Sequence, residues 1–361
     1  MDNLLNFIKE KSYYLLGGTV LIIVLLIIIS SCSNGASSYE KIESNMVKAA
    51  KSYFNANSDK LPKEDGGVVK ITNSTLIDSE YLKEFKDPED KNNSCSGYVE
   101  VTKEKEEYFY TPFLNCPGNY EAKYLIDEIK NVGVDELGNG IYNIGDEYIY
   151  RGEYVYNYLS FADQMWRILK IDADGDIKLI ATEEYDEERF VWDSKYNHEM
   201  KEYIGDNSNY LLTNMRKVLH DFYDNVFYDE EKAKIVYKNI CLGSVKIGEP
   251  YNAQKECSKI HENEKVSLMN PSDFKNATLD SYCINIGDAA CTNRNYLAGS
   301  GVNTWVINPA EGNNYTQLTF NFNFATKKTN RDNKVHPVIY LTSKVILKSG
   351  DGSYQNPYTI K

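Results

Sequence analysis

Hydrophobic and polar positions follow one another along this chain in three different rhythms. The first is a solid block: from Leu15 to Ile29 the side chains are almost all Leu, Ile and Val, and no charged residue occurs from Ser12 to Tyr39. A helix apolar on every side is made for lipid or a deep core, and this one reads as a membrane segment. Tyr13 to Ile29 gives about 26 Å of helix at 1.5 Å per residue, a little short of a hydrocarbon core of about 30 Å, and Ser30 and Ser31 complete the crossing. Lys9 and Lys11 precede the block and no basic residue follows it before Lys41. That asymmetry puts the N-terminus in the cytoplasm and everything after Cys32 in an extracytoplasmic space.

The second rhythm is helical. Tyr39, Ile42, Met46, Ala49, Ala50, Tyr53 and Phe54 recur at steps of three and four, predicting a helix over 37–57. Pro62 and Gly66-Gly67 end it. Ser74 then stands as a cap for a brief helix over Thr75 to Phe85. The third rhythm is alternation. Val68 to Ile71 reads as a strand, and Tyr98, Val99 and Val101 face Tyr108, Phe109 and Tyr110 across a polar turn at Lys103 to Glu107, a hairpin pattern.

Lys123 to Gly140 is charged and carries Gly133, Gly138 and Gly140, which reads as a linker. Beyond it, Trp166 to Ile171 and Ile177 to Ile180 form two strands around Asp174-Gly175. Leu211, Met215, Val218, Leu219 and Phe222 mark a helix over Tyr210 to Tyr223, and Asp229 starts another through Val236. Val266 to Met269 is a short strand, followed by the cap Asn270 and a first-turn Pro271. Phe320, Phe322 and Phe324 alternate with polar residues, predicting one strand with an aromatic face; Val338 to Leu341 and Val345 to Leu347 follow, and Tyr354, Pro357, Tyr358 and Ile360 read as packing residues. The fold class is α+β. It divides into an anchor (1–35), a helix-plus-antiparallel-sheet domain (36–121), a linker (122–140) and a β-rich α+β domain (141–361).

Seven cysteines refine this picture. Ile29-Ser30-Ser31-Cys32 resembles a bacterial lipobox, in which the Cys is lipidated and residues 1–31 are removed. The retained helix and the lipoprotein stand as alternative anchors, and both tether the chain to the lipid bilayer. The other six, Cys95, Cys116, Cys241, Cys257, Cys283 and Cys291, lie in the exported part, where oxidation is permitted. Nearest-neighbour pairing closes the shortest loops, each stabilising by roughly 2.5 to 3.5 kcal/mol on the chain-entropy model.

In 361 residues there are 40 basic and 53 acidic side chains, a net charge of −13 that repels phosphate backbones, so a nucleic-acid partner is not expected. The four histidines, at 198, 220, 261 and 336, are far apart in sequence, and no G-x-S-x-G, H-E-x-x-H or phosphate loop occurs. Ser300, between two glycines, reads as a turn residue. Asp172, Asp174, Asp176 and Glu183 fall at ligand places of a calcium loop, but Ile177 stands where that loop requires Gly, and a hairpin turn is the better reading. No cofactor and no metal site is expected. The aromatic excess, 30 Tyr, 13 Phe and 3 Trp, suits carbohydrate or protein recognition, because aromatic side chains offer large area at little entropic cost. Trp305, beside Asn303 and Asn308, is the candidate ligand surface.

Residues 13–121 resemble type IV pilins and pseudopilins in layout, with an apolar helix running into a small disulfide-closed sheet, but without the Gly-aromatic processing site of that family. Residues 141–361 resemble an uncharacterised extracellular domain family of low-GC Gram-positive bacteria. The resemblance rests on Asn157-Tyr158-Leu159-Ser160-Phe161, Met165-Trp166-Arg167-Ile168, Asn214 to Leu219, Asp229 to Ile235, His336-Pro337-Val338-Ile339-Tyr340-Leu341 and Gly350-Asp351-Gly352 leading to Asn356 through Ile360. His336 stands where that family usually has Arg. The family is similar to the C-type-lectin-like and formylglycine-generating-enzyme-like group, which implies a sheet with two helices. The expected function is a membrane-anchored surface protein, not an enzyme, that binds a glycan, wall polymer or protein through its C-terminal domain. The alternatives are a pilin-like subunit forming homo-oligomers and an extracytoplasmic enzyme.

Overall fold

The computed structural model describes residues 38–361, which form two compact units that divide after Ala122. The block at 13–29 and Cys32 lie outside the described residues. Among the described residues, no helix is long and apolar enough to cross a membrane.

The first unit is a helix packed on a four-stranded antiparallel meander. Helix α1 (38–56) buries Tyr39, Met46, Ala49, Ala50, Tyr53 and Phe54, the three-and-four face that its sequence displays. Strands β1 (Val68–Thr72), β2 (Ser96–Glu104), β3 (Glu107–Cys116) and β4 (Tyr120–Glu121) pair in chain order. Cys95 is bonded to Cys116 at the open end of the β2–β3 hairpin. The helix expected over 75–85 is the shorter α2 (Asn73–Asp78), and its cap is Thr72, whose hydroxyl accepts from the Thr75 amide. Asp87 ties the loops together: its carboxylate accepts from the Tyr39 hydroxyl (2.7 Å), the amides of Asn93 (3.0 Å) and Asn119 (2.8 Å), and the Glu89 N–H (2.9 Å). These donors, against the cost of burial, pull its pKa down to about 2.

The second unit opens with a correction. The charged stretch read as a linker contains helix α3 (Leu125–Asn131), with Leu125 and Ile129 fully buried in the core. A single i,i+4 apolar pair among charges is enough when both members are buried. Strands β5 (Gly140–Ile144), β6 (Glu147–Arg151), β7 (Tyr158–Phe161), β8 (Gln164–Ile171) and β9 (Ile177–Ala181) follow, then the short β10 (Phe190–Val191). Helices α4 (Asn214–Val226) and α5 (Asp229–Lys232) lead to β11 (Lys238–Cys241). Helix α6 (Ala253–Glu256), strands β12 (Ile260–Glu264) and β13 (Val266–Ser267) and helix α7 (Pro271–Ala277) come next. Strands β14 (Asn303–Pro309), β15 (Thr316–Asn321), β16 (Asn323–Lys328), β17 (Asp332–Asn333), β18 (Val338–Leu341), β19 (Leu347–Ser349) and β20 (Tyr358–Ile360) complete the chain.

The main sheet has nine strands in the order β13-β18-β9-β8-β7-β20-β19, with the β5–β6 hairpin attached to β8. All of its pairings are antiparallel except β20 against β7. Strand β9 is buried along its whole length. Trp166 on β8 packs edge-on to Phe222 of α4 at 6.3 Å, and Lys178 on β9 reaches both carboxylate oxygens of Asp273 on α7 at 2.8 Å. Asn270 and Asp273 form the capping box that starts α7, with Pro271 in its first turn.

One predicted strand is two. Asn321 pairs with Asn323, and Phe322 sits at the bend with φ 60° and is 57% exposed. Phe320 and Phe324 face each other across the β15–β16 hairpin, 5.4 Å apart, and both pack on Phe274. Alternation is equally well satisfied by a straight strand and by a tight turn that places i and i+4 opposite each other, and the aromatic pair selects the turn.

Candidate ligand-binding site

The three disulfides expected from nearest-neighbour pairing are formed, and one of them shapes a cavity. Cys241 ends β11 and Cys257 follows α6; their bond brings Leu242-Gly243-Ser244 against Ser258-Lys259. Backbone bonds from Leu242 N to Lys259 O (2.7 Å) and from Gly243 N to Glu256 O (2.8 Å) seal the two segments. The approach is so close that a Cβ on Gly243 would lie 2.0 Å from the Lys255 carbonyl oxygen, so only Gly fits.

This clasp is one wall of a cavity of about 180 Å³. Its floor is apolar and buried, built from Trp192, Tyr210, Leu242 and Ile307. Its sides are amides: Asn207, Asn313 and Asn314, the last two from the turn between β14 and β15. Ser208, Ser244 and Lys259 form an exposed rim. A cavity of about 150 Å³ holds one benzene ring, so this one has the volume of a single six-membered ring.

Two atoms distinguish it. Trp192 is 2% exposed and Tyr210 3%, yet the Trp192 Nε1–H and the Tyr210 hydroxyl have no hydrogen-bond partner among the described residues. A buried donor without a partner costs about 1–3 kcal/mol, and both of these atoms lie beneath the cavity surface, closed to solvent. The amides, by contrast, are braced. Asn207 donates to Thr316 O (2.8 Å) and Gln317 Oε1 (3.0 Å), and Asn314 donates to Asp206 Oδ2 (3.2 Å) and accepts from Asn197 (3.1 Å). The walls are therefore held before any ligand arrives.

Behind Tyr210 lies a polar cluster. The buried Glu264 carboxylate accepts from Arg216 Nε (2.7 Å) and meets His220 Nε2 (2.9 Å) and His261 Nε2 (2.9 Å). Burial works against its ionisation, but the bonds from Arg216 and His220 outweigh that and hold Glu264 below its ordinary pKa. Burial, and the nearby Glu264 charge, raise the Tyr210 phenol well above its usual value, so it is a neutral hydroxyl.

Compared with known proteins, the chain matches no family model, no curated sequence and no solved structure.

The residues singled out in the sequence have different places. Trp305 is fully buried, donates its indole N–H to Phe190 O (2.7 Å) and packs edge-on against Trp192 at 6.0 Å. It offers no face to a ligand and instead supports the tryptophan that lines the cavity. Asn308 is also fully buried: its amide donates to the carbonyls of Gly243 (2.9 Å), Glu256 (3.2 Å) and Cys241 (3.3 Å), tying both arms of the disulfide clasp to β14. Asn303 pairs with Asn321 at the far end of β14 and does not reach the cavity. None of the three lines the cavity: Trp305 and Asn308 are buried away from it, and Asn303 lies at the other end of β14. Asp206-Asn207-Ser208-Asn209 before Tyr210, and Asn313-Asn314 before Tyr315, carry the signal that points to the site: amides next to an aromatic, twice.

Two other clusters are closed. Asp172, Asp174 and Asp176 converge in the β8–β9 turn, but Lys238 Nζ sits 2.8, 2.8 and 2.7 Å from them, filling the centre that a metal ion would take. Asp87 lies near Cys95 and Cys116, whose sulfurs are bonded to each other. A larger recess of about 860 Å³, between the β7–β8 turn at Ala162 and the start of α5, is rimmed by Asp163, Asp229 and Glu230, and no residue with an unpartnered buried polar atom lines it.

Proposed function

We propose that the chain is a membrane-tethered, extracytoplasmic surface protein that works by binding rather than catalysis, and that its C-terminal unit takes one saccharide unit of a glycan or wall polymer into the cavity floored by Trp192 and Tyr210. The observation that carries this reading is an aromatic and apolar floor flanked by three amides and two serines, with two buried donors without partners beneath it. A sugar ring meets each requirement: C–H faces for the aromatic rings, and oxygens for the indole N–H and the phenol. The apolar block at 13–29 and the three disulfides support an exported, anchored chain. The expected similarity to C-type-lectin-like domains accords with the mixed nine-stranded sheet between α4 and α7, and is carried here as part of the same proposal.

The test is a binding screen of the full chain in detergent against glycans and wall-polymer fragments, repeated with Tyr210→Phe. Saturable binding that the variant weakens supports the reading, and a screen without binding removes it. A second reading, of a pilin-like subunit, is favoured by the layout of the first unit: α1 on a four-stranded sheet closed by Cys95–Cys116. Cross-linking in membranes separates the two, since a ladder of homo-oligomers dependent on residues 13–54 is expected only of the assembly subunit.

A further inference from the structure

Lys259 is the one charged residue that lines the cavity, and its ammonium is uncompensated. Its Nζ donates to the Ser208 carbonyl at 2.6 Å, and among the described residues no carboxylate lies within ion-pair distance of it. Some lysines of this unit find an acid, as Lys178 does in Asp273 and Lys238 in three aspartates, and others, Lys265 and Lys275 among them, bond a backbone carbonyl as Lys259 does; what sets Lys259 apart is its place at the cavity. Lys259 is held at the rim by a neutral oxygen, with two of its three protons left for another acceptor.

From this we infer that the saccharide bound here is acidic, a sugar bearing a carboxylate or phosphate, with its ring over Trp192 and Tyr210 and its anionic group at Lys259. The inference rests on the saccharide reading of the cavity and names its ligand class. The nearest carboxylates do not oppose it. Asp206 does not line the cavity, and its carboxylate is engaged by Ser208 N (2.7 Å) and Asn314 Nδ2 (3.2 Å); Glu264 is covered by Arg216 and two histidines. The protein's net charge of −13 repels an anion at long range, so the attraction must be local and charge-assisted. The cavity walls are otherwise neutral, so no other side chain lining them can supply the charge.

The experiment is calorimetric titration of the full chain in detergent with D-glucuronate, glucose 6-phosphate, D-glucose and acetate, for wild type, Lys259→Met and Lys259→Arg. Lys259 is exposed, so neither change threatens the fold. The expected result is that one or both acidic sugars bind at least tenfold tighter than glucose, with the preference lost in Lys259→Met, kept in Lys259→Arg and reduced by raising NaCl from 50 to about 500 mM. Whichever acid group gives the larger preference identifies the source of the charge. Acetate is expected to bind far more weakly than the sugar acids, since it lacks the ring. Equal affinity for glucose and both acidic sugars, or a preference that survives Lys259→Met, overturns the inference while leaving the saccharide reading standing. Failure of all three sugars to bind overturns both.

Discussion

Tyr210→Phe separates a ligand site from an ordinary core more sharply than any other single change. The phenol oxygen is buried, 3% of the residue being exposed, and has no partner among the described residues. In a core built for stability alone, such a hydroxyl is a defect, and its removal returns part of the roughly 1–3 kcal/mol it costs. Taking the lower end, the variant is about 1 kcal/mol more stable without ligand, which for a unit of this size raises Tm by roughly 2–4 °C. The same change removes a hydrogen bond to the ligand and weakens binding about tenfold, or about 1.4 kcal/mol. Differential scanning calorimetry of both proteins, with and without the best ligand from the screen, reads both effects in one experiment. Opposite signs, more stable alone and less stabilised by ligand, are the signature of an atom kept for binding. A variant that melts lower than wild type and binds equally well would show that the hydroxyl is paired in the folded protein, and the reasoning would fall.

Other outcomes follow from the same geometry. Trp305→Ala empties a fully buried site beneath Trp192 and should cost about 3–5 kcal/mol in denaturant unfolding, with ligand affinity lost only in proportion to the unfolded fraction; a folded variant with selective loss of binding would mean that Trp305 meets the ligand. Gly243→Ala places a Cβ against the Lys255 carbonyl and should destabilise the clasp; cleavage by a protease after Lys255 or Lys259 should accelerate, and unchanged proteolysis would contradict it. Replacing Cys241 and Cys257 together by Ala opens a loop of sequence separation 16 and should cost about 3 kcal/mol and weaken sugar binding, whereas replacing Cys283 and Cys291 should leave binding intact in protein that remains folded. Asp87 has a folded pKa of about 2 against 3.8 for the free group. Its contribution to the first unit is therefore complete above pH 3.8 and lost as pH falls through about 2. Asp87→Asn should flatten acid unfolding of that unit over this window, and an unchanged profile would count against the assignment.

Much of the architecture is legible in the amino-acid sequence. Helix α1, the two hairpins and the Asn270-Pro271 start of α7 are local patterns, in which spacing, cap and turn residues lie within a few positions of one another. The disulfide pairings follow from loop length. What escapes the sequence is whatever depends on a partner far away. Leu125 and Ile129 look like strays in a charged linker until a core closes over them. Phe322 looks like a member of an aromatic stripe until the Phe320–Phe324 pair bends the chain around it. Trp305 and Asn308 have the composition of a binding surface but are buried away from the cavity, and composition does not distinguish a cavity floor from the layer beneath it. The cavity itself is drawn from several separated segments, so no window of the sequence contains it. Its trace is a repeated local motif, asparagines before a tyrosine.

What occupies the cavity between Trp192 and Tyr210 decides between a binding protein and a merely stable one, and a crystal structure of the chain grown with the tightest-binding acidic saccharide observes this directly. The predicted result is one sugar ring in the cavity, with ligand oxygens about 2.7–3.2 Å from Trp192 Nε1 and the Tyr210 hydroxyl and the acid group on Lys259. A saccharide bound elsewhere, or ordered waters satisfying both atoms in a cavity that excludes the sugar, would contradict it.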